Sequence, residues 1–265
     1  MEKVTRAGVK TPKAEKATYA FPTEVIDLPS LGRLYPEGHA LSSGNIEIKY
    51  MTAREEDILT SQNLINKGIV LDKLLESVIV TDVDVDDLVV GDKNAILLAS
   101  RILAYGPDYD SRITCPSCNT VNEVSVDLSV LENKDVELLD GNGNSFGFKL
   151  PQSGVEITFK ILTHGDIRKI QNEIDTWEKL GNEVRAEMSI RYKFMITSVG
   201  GNTSKAYIKE FVRNGFTMQD SSALKEHIFD MSPGIDQTFD FGCQRCDYTE
   251  RLKIPFGIDF FWPSI

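Results

Sequence analysis

The sequence predicts an α+β fold. A small β unit is made by two distant CxxC turns, a helical unit precedes it, and a strand-plus-helices segment is inserted between the turns. Three observations carry this. The only cysteines form two pairs, Cys115-Pro116-Ser117-Cys118 and Cys243-Gln244-Arg245-Cys246. Apolar residues alternate after each pair: Val124, Val126 and Leu128 after the first, Leu252, Ile254 and Phe256 after the second. Runs of helical periodicity with capping residues lie between Thr52 and Tyr105 and between Thr163 and Met231.

Taken in order, residues 1–20 read as a disordered basic arm. Lys3, Arg6, Lys10, Lys13 and Lys16 against Glu2 and Glu15 give it +3 in a chain whose net charge is −11. The arm is either a solvated terminus or a tail that orders on an acidic partner. Residues 21–110 form an extended segment followed by the helical unit. Strands are expected at Thr23–Leu28 and Ile46–Tyr50, among turns set by prolines and glycines. Thr52-Ala53-Arg54-Glu55 fits a capping box and opens a helix ending at Gly68. Ile69–Val80 reads as a buried helix or a helix running into a strand. Asp92–Tyr105 is a further helix, stopped by Gly106-Pro107.

Residues 111–128 together with 239–265 make the knuckle unit, and residues 129–238 the insert. In the insert, Val136–Leu139, Phe146–Leu150 and Val155–Ile161 are strand-like, and Asp140-Gly141-Asn142-Gly143 is a hairpin turn signal. Helices follow from Thr163 to Leu180, Glu183 to Val199, Thr203 to Asn214 and Thr217 to Met231. Thr217-Met218-Gln219-Asp220 reads as a capping box with Asp in place of Glu.

The C-x-x-C spacing lets two thiolates of one tight turn point at the same ion. Cys115, Cys118, Cys243 and Cys246 are therefore the expected ligands of one structural Zn²⁺, and the unit is zinc-ribbon-like. The 124 residues between the pairs far exceed the ~15–20 of an ordinary ribbon, so a segment is inserted there or each pair acts alone. Four thiolates leave no open coordination position, so the site would hold the fold and do no catalysis. Its charge of about −2 would be offset by Arg112, Arg245, Arg251 and Lys253, close in sequence. A redox CxxC would need a helix after it, and neither pair has one. Disulfides are the other alternative, but the Met1 region lacks the apolar core of a signal peptide, which predicts cytosolic synthesis and reduced thiols.

Other chemistry is not supported. Asp82-x-Asp84-x-Asp86 has Asp87 and Lys93 where a calcium loop needs Gly and Glu, and Asp140-x-Asn142-x-Asn144 fails the same way. Phosphate-loop and nucleophile-elbow patterns are missing from the sequence. His39, His164 and His227 are dispersed, and no acid–base pair stands out by spacing. The acidic balance argues against a nucleic-acid binder. No apolar run approaches the ~18 residues that span a membrane. Phe256 to Pro263 concentrates aromatics at the C-terminus. Phe260, Phe261 and Trp262 either close the core of the knuckle unit or anchor a partner surface.

Two stretches carry a resemblance. Leu28-Pro29-Ser30-Leu31-Gly32-Arg33-Leu34-Tyr35-Pro36-Glu37-Gly38 and Tyr50-Met51-Thr52-Ala53-Arg54-Glu55-Glu56-Asp57-Ile58-Leu59-Thr60 resemble T-even-type phage baseplate hub proteins. The first knuckle running into Val124–Leu128, and the tail from Ile254 to Pro263, fit the same family, so the likeness spans about 21–265. It implies a non-enzymatic component of the contractile tail, made in the host bacterial cytoplasm and working in or on the virion baseplate. Its partners would be other baseplate hub proteins, near the central spike and the tape-measure protein. A zinc-stabilised cytosolic adaptor or chaperone unrelated to phage is the alternative, and an enzyme built from scattered carboxylates is the third.

Overall fold

The computed structural model describes residues 22–136, 143–180, 186–254 and 256–261. The basic arm, the turn at 140–142, the helix stop at Gly181 and Trp262 lie outside the described residues.

The chain opens with β1 (Thr23–Asp27), which pairs antiparallel with β2 (Asn45–Lys49). Between them the 28–38 segment turns sharply through Leu31 (φ 51°) and Gly32 (φ 77°). A Cβ on Gly32 would stand 2.5 Å from the Ser42 carbonyl oxygen, so the turn requires glycine on both counts. Helix α1 (Ala53–Thr60) starts with the expected box: Thr52 caps it, and the Glu55 carboxylate accepts from the Thr52 N–H at 2.8 Å. The helix stops short of Gly68. The Thr60 hydroxyl donates back to the carbonyls of Glu56 and Asp57, and Ser61 turns extended before a short α2 (Gln62–Asn66). In α3 (Val70–Val78) the buried-helix reading of 69–80 is realised; Ile79 leaves the helix and makes an isolated bridge to Ile48 of β2, with no strand following. Helix α4 spans Val90–Tyr105.

β3 (Asp108–Thr114) and β4 (Val121–Asp127) form one antiparallel hairpin. The middle of the chain gives β5 (Phe146–Lys149) and β6 (Glu156–Phe159), then α5 (His164–Lys179) and α6 (Glu187–Met195). Val136 is in loop and the rest of its expected strand lies outside the described residues. The run Glu183–Val199 is not one helix. Ile196-Thr197-Ser198-Val199 leaves α6 as β7, which pairs with β6 to complete a three-stranded sheet. The β-branched end of the run prefers the pleated sheet to the helix. α7 (Lys205–Asn214) and α8 (Met218–Met231) follow, and β8 (Thr238–Gly242) with β9 (Thr249–Lys253) forms the last hairpin.

One apolar cluster runs through the whole arrangement. It joins Leu28, Ile48, Leu74 and Ile96 to Val126 and Leu128 of the first hairpin, Ile157 and Phe159 of the central sheet, and Ile254, Phe260 and Phe261 near the end. A smaller cluster of Leu162, Ile170, Ile174 and Ile190 packs α5 on α6. The chain leaves and re-enters the knuckle region at adjacent points. Lys134 N–H donates to the Gly234 carbonyl and Asp236 N–H to the Glu132 carbonyl, both at 2.8 Å. Gly91, in the first turn of α4, lets this crossing point approach: a Cβ there would be 1.9 Å from the Pro233 carbonyl oxygen.

Buried carboxylates tie these elements together. Asp92 accepts from the Ser30 N–H (2.9 Å), the Ser30 hydroxyl (2.6 Å) and the Tyr35 hydroxyl (2.7 Å). The Tyr35 oxygen in turn accepts from the Val89 N–H at 3.2 Å. Val89 is the N-cap of α4 and has no side-chain acceptor, so a tyrosine hydroxyl stands between cap and acid in a capping box bridged from another segment. Asp220 departs from its expected box. Thr217 caps α8, but the Asp220 carboxylate reaches the Gln152 N–H at 2.7 Å and the Ser153 N–H, holding the β5–β6 turn.

Glu55 is fully buried and joins three elements. It accepts from Thr52, from Lys49 Nζ at 2.8 Å and from the Ser77 hydroxyl at 2.6 Å. Burial alone would raise its carboxyl, but the Lys49, Ser77 and Thr52 hydrogen bonds hold it at about 2. An unfolded Glu titrates near ~4.3. Because the folded value is the lower, Glu55 contributes stability that is present above that unfolded value and is lost as pH falls toward 2. Glu55→Gln is therefore expected to lower the melting temperature at neutral pH and to flatten the decline between about pH 4.5 and 2. Parallel acid melts of wild type and variant check it; equal slopes through that window would remove Glu55 from the acid response.

Candidate metal centre

Both cysteine pairs sit at hairpin tips. Cys115 to Cys118 closes β3 into β4, and Cys243 to Cys246 closes β8 into β9. The two turns share a backbone pattern: the Cys115 N–H donates to the Thr120 carbonyl and the Cys243 N–H to the Tyr248 carbonyl, each at 2.9 Å. In the first turn Asn119 adopts a left-handed conformation (φ 55°), and its N–H donates to the Cys115 carbonyl. Asn tolerates that region better than most residues, which suits it to close the knuckle.

The tips face each other. Cys115 Sγ lies 3.7 Å from Cys246 Sγ, and Cys118 Sγ lies 3.6 Å from Cys243 Sγ. All four sulfurs lie within 4.8 Å of one another, and all four cysteines are free thiols. A tetrahedron with metal–sulfur bonds of ~2.3 Å has edges of about 3.8 Å, so the donor set fits one thiophilic ion. Soft sulfur in a tetrahedron suits zinc or iron. Cys115 is buried, and the other three are partly shielded.

The turns also prepare the sulfurs electrostatically. The Arg245 N–H lies 3.4 Å from Cys243 Sγ and is the main reason that thiol is lowered to about 6. Thr120 lowers Cys118 through its side chain and its backbone. Cys246 moves the other way. A backbone hydrogen bond near Tyr248 favours its thiolate, but desolvation and the three neighbouring sulfurs push it up to about 11. Four thiolates this close would repel one another, and a divalent cation at their centre would let them all ionise. Two of the basic side chains near the pairs are held by carboxylates instead. Arg112 pairs with Glu123 at 3.3 Å and Arg251 with Asp236 at 2.8 Å, while Arg245 contributes its main-chain N–H.

Asn122 joins the two knuckles and was not singled out by motif or spacing. It is buried on β4. Its side-chain oxygen accepts from the Gln244 N–H of the second knuckle at 2.8 Å, and its amide donates to the Thr120 carbonyl at 2.9 Å. The Gln244 amide returns a hydrogen bond to the Glu123 carbonyl at 3.2 Å. The sheet itself is not shared: β3–β4 and β8–β9 are separate two-stranded sheets, so the tips meet without forming one ribbon sheet.

A sequence model described as T4 bacteriophage base plate protein matches residues 24–262. The chain belongs to that family. No curated protein and no solved structure matches the chain. This baseplate component thus brings its four cysteines together, and the two stretches that resemble baseplate hub proteins have structural duties. Ser30 and Tyr35 of the first hold Asp92, while Thr52 and Glu55 of the second form the α1 cap. Among the described residues no helix is long and apolar enough to cross a membrane.

The C-terminal aromatics of this baseplate protein take the packing alternative. Phe260 and Phe261 are fully buried, and Phe260 packs against Tyr109, Phe256 and Phe261. The chain itself covers them, which corrects the expectation that these two face a partner; Trp262 lies outside the described residues. Buried Arg101 secures the same corner, donating to the carbonyls of Phe260 (3.1 Å), Gly106 (3.1 Å) and Asp108 (3.3 Å). The histidines serve packing: His39 stacks on Tyr35, His227 stacks on Phe148, and His164 Nε2 sits 2.9 Å from Asp72.

Proposed function

We propose that this protein is a non-enzymatic structural or assembly component of the phage baseplate hub, locked by one structural Zn²⁺ on Cys115, Cys118, Cys243 and Cys246. Family membership over residues 24–262 carries the baseplate part of the reading and displaces the alternative of a host adaptor unrelated to phage. The closed donor set supports the zinc part, since four sulfurs leave the metal no position for substrate or water. Zinc here joins residues 111–128 to 239–265, and the 129–238 segment is carried as an insert between them. The partners would be neighbouring hub proteins, with the central spike and the tape-measure protein as candidates.

Mass-spectrometric inventory of purified tails and of baseplate assembly intermediates tests the placement. Presence in both is expected of a virion component, and presence in intermediates alone of an assembly factor. Absence from both removes the hub reading.

A further inference from the structure

We propose that the groove bounded by α5, the α6–β7 junction and the start of α7 docks an acidic, partly apolar peptide segment of another protein. The groove has a volume of about 640 Å³. Lys160, Lys169, Lys193, Lys205 and Lys209 all line it, against two carboxylates, Asp166 and Glu173. Its lining is thus +3 in a chain of net charge −11, which leaves −14 for everything else.

Two of the lysines are already engaged. Lys160 pairs with Asp166 at 2.6 Å, and Lys193 pairs with Glu173. Among the described residues Lys169, Lys205 and Lys209 are exposed and have no carboxylate partner. The start of α7 sharpens the imbalance. Ser204 gives no side-chain cap, the first turn holds no acidic residue, and Lys205 stands at the first helical position. A cation at the positive end of a helix dipole is unfavourable, and an incoming carboxylate would relieve it.

The floor sets the rest of the specificity. Ile196 and Ile208 are buried beneath the groove and Phe194 is half-buried beside them. An occupant that combined carboxylates with an aliphatic side chain would satisfy both rim and floor. The charge of the whole chain selects against a long polyanion. A nucleic acid drawn to five lysines would hold the rest of its phosphates against a body of −14, whereas a short peptide brings few charges beyond those it pairs. The docking site rests on this geometry and is independent of the hub reading.

The test uses the full chain and a fluorescein-labelled Glu-Leu-Glu-Glu-Leu-Glu peptide, read by anisotropy at low salt. The peptide is expected to bind, its Gln-for-Glu counterpart is not, and added salt should weaken the complex. Combining Lys169→Glu, Lys205→Glu and Lys209→Glu should weaken binding by roughly tenfold or more. A charge-matched control with Lys67→Glu, Lys225→Glu and Lys253→Glu should leave most of the affinity in place. Melting curves confirm that both variants fold, and glutamine at the same three positions replaces glutamate if the reversal unfolds the chain. The proposal is overturned by any of four results. These are no binding of the acidic peptide, equal binding of the Gln peptide, equal losses in the groove and control variants, or tighter, groove-dependent binding of a mixed-sequence single-stranded oligonucleotide.

Discussion

Cys115→Ser is expected to release the metal and lower the melting temperature by about 10–20 °C. That corresponds to a loss of roughly 5 kcal/mol at ~2–4 °C per kcal/mol for a chain of this size. Structural zinc contributes ~10–16 kcal/mol of apparent binding energy in small finger peptides, and here a larger core shares the load, so the expected loss is a fraction of that. Cys115 is the most deeply placed of the four, and its sulfur touches Cys246 across the tips at 3.7 Å. Without the ion the remaining thiols have no reason to stay together, and the two hairpin tips lose the link that would join them. Elemental analysis should find one zinc per chain in wild type and none in the variant, with calorimetry recording the shift. Asn122→Ala separates ligation from positioning. It keeps all four sulfurs but leaves the Gln244 N–H without its acceptor, so zinc should remain at full occupancy while chelator strips it faster. Wild-type protein purified under reducing conditions without zinc or another thiophilic metal would end the metal reading. A Cys115→Ser protein that melts with the wild type would end its structural role.

The cysteine cluster was legible in the sequence because C-x-x-C spacing is a short-range code, and strands β4 and β9 that follow the two pairs because alternation is local. What was not legible depends on distance. Asn122 is an ordinary polar residue on a strand until the second knuckle arrives from more than a hundred residues away. Asp92 and Asp220 looked like helix-start residues, and both are. Their carboxylates, however, serve Ser30 and Gln152 on other segments, which no periodicity reports. β3 escaped because Asp108 to Thr114 offers only Tyr109 and Ile113 as apolar residues. β7 escaped because it follows α6 without a break and has only Ile196 and Val199 as apolar residues, too few to set a period. The aromatic C-terminus divided evenly between core and interface, since sequence gives hydrophobicity but not what covers it. The buried carbonyl of Phe260 on Arg101 decides the matter for Phe260.

Asp92→Ala is expected to cost about 3–9 kcal/mol, because it strands the Ser30 N–H, the Ser30 hydroxyl and the Tyr35 hydroxyl in a buried site at ~1–3 kcal/mol for each unsatisfied group. Tyr35→Phe should cost about 1–3 kcal/mol, since it removes one donor to Asp92 and the acceptor of the Val89 N–H. The two losses should not add, because the groups form one chain from N-cap to acid; a coupling of about 0.5–3 kcal/mol is expected in the double-mutant cycle. Asp92→Asn distinguishes shape from charge. Burial raises the Asp92 carboxyl above its ordinary range, while the Ser30 and Tyr35 hydrogen bonds oppose the shift. A raised folded value means that the contribution of Asp92 is fully present below its unfolded pKa and is lost as pH rises through the folded one. The Asn variant does not titrate there, so its deficit against wild type should shrink as pH rises. Denaturant melts of the three single variants across pH measure all of this. If Asp92→Ala stays within about 0.5 kcal/mol of wild type, as an ordinary surface substitution would, the 28–38 segment is not held by this carboxylate. Its tie to α4 would then come from the packing of Leu28 and Leu34 and from the Val89 N–H on the Tyr35 hydroxyl.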